Sequence, residues 1–243
     1  MNVREAFNVR EYGDPAGRPM VFAHGFGCEQ GMWRHMVPFF EEYRVVLFDH
    51  MGLGGSDRSY YDPAEYAELD AYARDVLRIC DALELSNVAF VGHSVSAMVG
   101  VLASRRDPDR FSELVLVCPS ARYIDDPATG YRGGFSRTDI DELLGTLSHN
   151  YMGWSEGFAP VVMGAPAGDP NTDELAATFC RADPEVAQRF AATTFLADNR
   201  ADLPHVPTRT LVLQTARDVI APPYVGEYVA GQIPDAELVQ LDA

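Results

Sequence analysis

The sequence predicts an α/β fold, a mainly parallel sheet with helices on both faces and a helical insertion. Three observations carry this. Short, nearly continuous apolar runs recur along the chain, and longer amphipathic stretches separate them. One long interval, from Ser120 to Leu203, has helical patterns and no convincing buried strand.

Taken in order, the strand runs are "PMVFAH" (19–24), "RVVLFD" (44–49), "NVAFVG" (87–92), "ELVLVC" (113–118), "RTLVLQ" (209–214) and "AELVQL" (236–241). Their continuous apolar character, bounded by turn residues, is expected of parallel strands buried on both faces. Between the second and third, residues 63–85 set Tyr72, Val76, Ile79, Cys80 and Leu83 at helical spacing. A further helix, "VSAMVGVLASRR", follows Ser94. The expected division is a core of residues 1–119 and 204–243 with a helical lid over residues 120–203. Aromatics crowd the lid, among them Tyr123, Trp154 and Phe190, and divide between packing and pocket lining.

Composition excludes several classes of function. Apolar residues are 47% and charged residues 23%, as in soluble globular proteins, and no apolar run is long enough to span a bilayer. The N-terminus "MNVREAFNVREYG" lacks an apolar signal-peptide core. Cys28, Cys80, Cys118 and Cys180 are scattered without metal or disulfide spacing, which reads as reduced thiols in the cytoplasm. A net charge of −17 repels phosphate backbones and anionic lipid, arguing against nucleic-acid and membrane partners. No residue cluster calls for a metal or organic cofactor, and "GLGGS" (52–56) reads as a tight turn.

Ligands of open α/β sheets bind at the carboxyl ends of the strands. Three such ends carry reactive residues: "HGFG" (24–27), "GHSVS" (92–96) and "ARDVIAP" (216–222). A serine between a buried strand and a helix sits on a sharp turn that exposes its hydroxyl, so Ser94 is the candidate nucleophile. Small residues are needed two places to either side, and Gly92 and Ser96 satisfy this. The amide of Val95, at the helix start, and that of Phe26, in the glycine turn, suit an oxyanion. Asp218, in a loop after a later strand, fits the chain order of a Ser…Asp…His triad.

"HGFGCEQGMW", "FDHMGLGGSD", "GHSVSAMVG", "GYRGGF", "NYMGWSEGFAPVVMGA", "ATTFLADNR" and "QTARDVIAPPYVGEYV" together resemble the RsbQ-type α/β-hydrolases, which include the plant strigolactone and karrikin receptors. The resemblance extends over essentially the whole chain, and serine in the fifth place of "GHSVS" is a mark of that group. It implies an α/β-hydrolase fold and a Ser-His-Asp triad beneath a four-helix lid. It further implies a closed hydrophobic pocket for a small apolar ester or lactone, carrying over Phe135, Phe158, Phe179 and Phe195 as pocket residues. The implied partners are that small hydrophobic ligand and, for a stress-signalling role, a PAS-domain phosphatase. The base histidine that the resemblance implies belongs just beyond the last strand. All six histidines (His24, His35, His50, His93, His149 and His205) precede Asp218, so the chain is expected to be a shortened form of a longer one that carries the base.

Overall fold

A computed structural model describes residues 1–242. Seven strands form one sheet: β1 (Arg10–Gly13), β2 (Pro19–Ala23), β3 (Arg44–Leu47), β4 (Val88–His93), β5 (Phe111–Val117), β6 (Thr210–Thr215) and β7 (Ala236–Leu241). Their spatial order is β1-β3-β2-β4-β5-β6-β7, with β1 antiparallel to β3 and the other neighbours parallel. The six apolar runs of the sequence are the six parallel strands. β1 escaped the pattern because it is a polar edge strand, "REYG", that buries little.

β4 lies between β2 and β5, and its residues Val88 to Gly92 are all buried. β7 departs from the expectation of a strand buried on both faces. Among the described residues it pairs only with β6, and Leu238 and Leu241 are 38% and 42% exposed. An edge strand lacks a neighbour on one side, so an apolar run alone does not bury it.

α1 (Val3–Ala6) precedes the sheet, and α2 (Leu69–Ala82) and α3 (Val95–Arg106) pack against each other on one face. The helix expected over 63–85 is shorter than its periodicity suggested. Residues Glu65–Ala67 form a 3-10 turn, and Glu68 is extended at φ −133°. That turn sends Tyr66 inward, where its hydroxyl donates to Asp75 Oδ2 at 2.8 Å. α8 (Pro223–Gln232) makes the crossover from β6 to β7 and buries Val225 and Val229.

Four helices stand between β5 and β6: α4 (Arg137–His149), α5 (Tyr151–Met163), α6 (Pro170–Arg181) and α7 (Pro184–Phe195). Their starts are written locally. Ser136 and Asp139 form a reciprocal capping box, and Asn150 caps α5. Asp169 and Asp183 accept backbone N–H bonds ahead of a proline at the first helical position.

Exposed ion pairs join the four helices to the sheet layer: Arg34–Glu174 at 2.5 Å, Arg58–Asp183 at 2.9 Å and Arg181–Glu29 at 2.7 Å. Pairs of this kind contribute about 0–1 kcal/mol each, so the attachment rests on apolar packing. Val186 and Phe190 of α7 enter the main core, while Trp154, Phe179 and Phe195 build a second apolar cluster. Phe26 packs against both, which makes it the hinge between the two layers.

Candidate active site

Ser94 follows the last residue of β4 and immediately precedes α3. Its N–H donates to Val117 O at 2.8 Å, so the strand ladder holds it up to the point where the chain reverses. Its φ is +55° and ψ −121°, a region that side-chain-bearing residues rarely adopt. The close approach of strand and helix is explicit at Gly92, where a Cβ would stand 2.4 Å from Ser96 O. Gly25 is constrained in the same way, since its Cβ would meet His93 Nδ1 at 2.5 Å and Ser94 Cβ at 3.3 Å. The glycine turn and the serine turn are therefore in contact.

Among the described residues, neither the Phe26 N–H nor the Val95 N–H has an intramolecular hydrogen-bond partner. Both stand in turns that meet at Ser94, and Val95 opens a twelve-residue helix whose N-terminus favours negative charge. Ser94 Oγ has one side-chain neighbour at hydrogen-bonding range among the described residues, Tyr123 Oη at 3.4 Å. Tyr123 is 2% exposed, and burial pushes its phenol up to about 12, so it stays protonated at neutral pH. Its ring meets Phe195 edge-on with centroids 5.0 Å apart. In the sequence Tyr123 is only one aromatic among several in the expected lid. Its place just beyond the end of β5, itself beside β4, was the available signal.

Asp218 lies beyond the end of β6, where its Oδ1 accepts the N–H groups of Ile220 and Ala221, both at 2.8 Å. Its charge bears on His93, the residue before Ser94, and on Tyr123, whose hydroxyl meets Ser94 Oγ. Burial drives the His93 imidazole down to about 4, although the Asp218 charge opposes that shift.

The histidines scatter. His149 Nδ1 donates to Gly145 O at 2.7 Å on exposed α4, and His205 lies in the 3-10 turn Leu203–His205. His35 closes an exposed turn. His24 and His50 are 0% and 1% exposed, with ring centroids 4.6 Å apart. His24 Nδ1 donates to Gly25 O at 2.9 Å and Nε2 accepts the His50 N–H at 3.1 Å, which fixes a neutral imidazole. Burial lowers both rings, and His50 falls well below its ordinary value.

Of the four expected pocket phenylalanines, Phe179 and Phe195 face Phe26 directly, at ring centroid distances of 6.1 and 5.7 Å. Phe158 stands behind them, stacked on Trp154 at 4.7 Å. Phe135 is only partly buried and packs against the same cluster from the loop ahead of α4. Trp154 and Phe190 complete the ring around Phe26, at 5.9 and 6.0 Å. A cavity of about 320 Å³ opens at that turn, against Phe26, Gly27, Cys28, Gly54, Thr178 and Arg181. Burial pushes the Cys28 thiol there up to about 12.

Neither a grouping of side chains suited to a metal nor a disulfide occurs among the described residues. No helix among them is long and apolar enough to cross a membrane.

Comparison with known proteins shows the family. A model of the α/β hydrolase fold family matches residues 18–243. A karrikin insensitive 2 receptor of Petunia hybrida is 38% identical over 240 residues, covering 98% of this chain and 88% of that protein. The strigolactone esterase D14 of Arabidopsis thaliana is 40% identical over 235 residues, covering 96% of this chain and 86% of the relative. Among solved structures, a hydrolase from Oleispira antarctica superposes with a TM-score of 0.95 at 40% identity, over 99% of this chain and 88% of that one. The chain belongs to the α/β hydrolase family, with receptor-type esterases among its relatives.

Proposed function

We propose that this α/β hydrolase is a serine hydrolase acting on a small, mostly apolar ester or lactone. Ser94 is the nucleophile in this reading, Asp218 the acid that orients the base, and the Phe26 and Val95 amides the oxyanion hole. The observation that carries it is the turn itself. A serine held at φ +55° stands at the meeting of two turns whose Phe26 and Val95 N–H groups have no partner among the described residues. A strained backbone and unpaired amides are costly as mere structure, whereas both are suited to acyl transfer.

The chemistry follows from that arrangement. Ser94 Oγ attacks the carbonyl carbon while its proton passes to a base. The carbonyl oxygen becomes an oxyanion held by the two amides, and the alcohol leaves with the proton. Water then releases the acid by the same steps. None of the six histidines hydrogen-bonds Ser94 Oγ among the described residues, so this reading assigns Ser94, Asp218 and the two amides and names no base. The four helices of residues 120–203 act as the lid, and Phe135, Phe158, Phe179 and Phe195 belong to the apolar lining. No metal or organic cofactor takes part.

The second reading is a cytoplasmic ligand-sensing module that turns its ligand over slowly and binds a partner, such as a PAS-domain phosphatase in a stress response. One observation favours it: Met152, Val161, Val162 and Met163 of α5 are 38–53% exposed on the outer face of the insertion. The named functions of the receptor relatives point the same way.

The test is turnover of p-nitrophenyl acetate by the protein and by its Ser94→Ala variant. The parent is expected to hydrolyse the ester and Ser94→Ala to lose that activity. Unchanged turnover in Ser94→Ala removes the nucleophile. Retention of a bound partner irrespective of Ser94 favours the sensing module.

A further inference from the structure

The fifth-place serine, Ser96, is 0% exposed. The backbone of Ser96 closes on Gly92, where a Cβ would stand 2.4 Å from Ser96 O, and the fully buried place leaves room for a small side chain. Alanine or glycine would meet that need without burying a hydroxyl. A hydroxyl there has to be satisfied, and it is. Ser96 Oγ donates to His24 O at 2.5 Å and lies 2.7 Å from His50 Nε2. The hydroxyl has one proton, already committed to the carbonyl, so His50 Nε2–H is the donor in the second bond. His50 Nδ1 is then bare, which agrees with its having no partner among the described residues.

These bonds join three segments: His24 at the start of the glycine turn, His50 in the loop after β3, and Ser96 in the first turn of α3. The other end of the glycine turn is tied to the same loop. Asp49 Oδ1 accepts the Gln30 N–H at 2.8 Å, and Oδ2 accepts Asn8 Nδ2 at 2.8 Å and the Gly55 N–H at 2.9 Å. The segment 24–30 is therefore clamped at both ends, with Phe26 between the clamps. Since the Phe26 N–H has no partner among the described residues, its direction is set by whatever holds the turn.

We propose that Ser96 and His50 are positioning residues that aim the Phe26 amide at the carbonyl oxygen of the substrate. Serine stands in the fifth place for its hydroxyl as well as for its size. The proposal rests on the serine-hydrolase reading for its catalytic consequence, but the clamp itself is a structural claim that stands apart from that reading. A loosened turn weakens a bond made chiefly in the transition state, so the effect falls on kcat more than on KM.

The experiment compares the parent chain, Ser96→Ala, His50→Leu, His50→Gln and Ser94→Ala. Each is followed by p-nitrophenyl acetate kinetics, thermal unfolding and NMR amide exchange across Gly25–Gly27. Ser96→Ala and His50→Leu are expected to speed exchange at Phe26 and to lower kcat about 10- to 100-fold with KM nearly constant. His50→Gln, whose amide can donate to the same hydroxyl, is expected to recover most of the loss. Exchange at Phe26 unaltered by Ser96→Ala overturns the clamp, whatever the kinetics. Faster exchange with unchanged kcat, in a protein that Ser94→Ala inactivates, overturns the catalytic role alone. Full turnover in Ser94→Ala overturns the nucleophile reading instead, and the exchange measurement still decides the clamp.

Discussion

The ring of Phe179 occupies the space that a side chain on Gly27 would need. A Cβ at Gly27 would stand 1.6 Å from its Cε1 and 2.1 Å from its Cδ1. This one relationship couples α6 to the glycine turn, because Phe179 is 2% exposed and Gly27 has φ +73°. Gly27→Ala is therefore expected to destabilise by about 2–4 kcal/mol, through left-handed strain and displacement of the ring. Denaturant unfolding measures this. A Gly27→Ala, Phe179→Leu double variant should be more stable than the sum of the single losses; strict additivity would mean that the ring is not the obstacle.

Asp218 is expected to separate two roles. Its Oδ1 caps two backbone N–H groups, a duty that an asparagine carbonyl can also perform. Asp218→Asn should keep the thermal midpoint while lowering ester turnover. Asp218→Ala should lower both, with a stability loss of about 1–2 kcal/mol for the two released N–H groups. Equal midpoints for the two variants would show that the cap contributes nothing.

Acid should weaken the fold through its histidines. Burial lowers His24, His50 and His93 from an ordinary value of 6.5, with His93 reaching about 4. The unfolded chain takes up these protons first. The stability they represent is present above pH 6.5 and is lost as pH falls through each folded value. Each group adds a slope of up to about 1.4 kcal/mol per pH unit. Urea unfolding between pH 5 and 8 measures the sum, and His50→Leu should flatten it. An unchanged slope in that variant would show that His50 does not titrate with unfolding.

Asp75 should act in the opposite sense over a lower window. Burial raises it from 3.8 to about 6, against the bonds it accepts from Tyr66 and Arg78. Its contribution is fully present below pH 3.8 and is lost as pH rises through about 6. Asp75→Asn should therefore gain on the parent chain as pH rises from 4 to 7, once the constant cost of the altered bonds is subtracted. A stability difference independent of pH in that interval would contradict the shift.

Much of this was legible in the chain. The six parallel strands were readable because a strand buried on both faces must be apolar throughout, and the insertion was readable as the interval where such runs stop. Ser94 was legible because a strand-to-helix turn of that tightness demands small residues around it. β1 was not, since an exposed edge strand has no apolar signature. The true start of α2 at Leu69 was not, because the preceding residues keep helical spacing while making a 3-10 turn.

By itself the sequence determined the element types, the chain order of Ser94 and Asp218, and the need for small residues at 92 and 96. These are local properties of periodicity, turn sterics and spacing. Only the tertiary structure decided which side chains meet. It set Tyr123 beside Ser94, laid Phe179 over Gly27, and buried His24, His50 and Ser96 as one hydrogen-bonded group. Such pairings join residues 26 to 152 positions apart, and no periodicity encodes them. They arise when sheet order and helix packing bring strand ends together, where every buried polar group must find a partner.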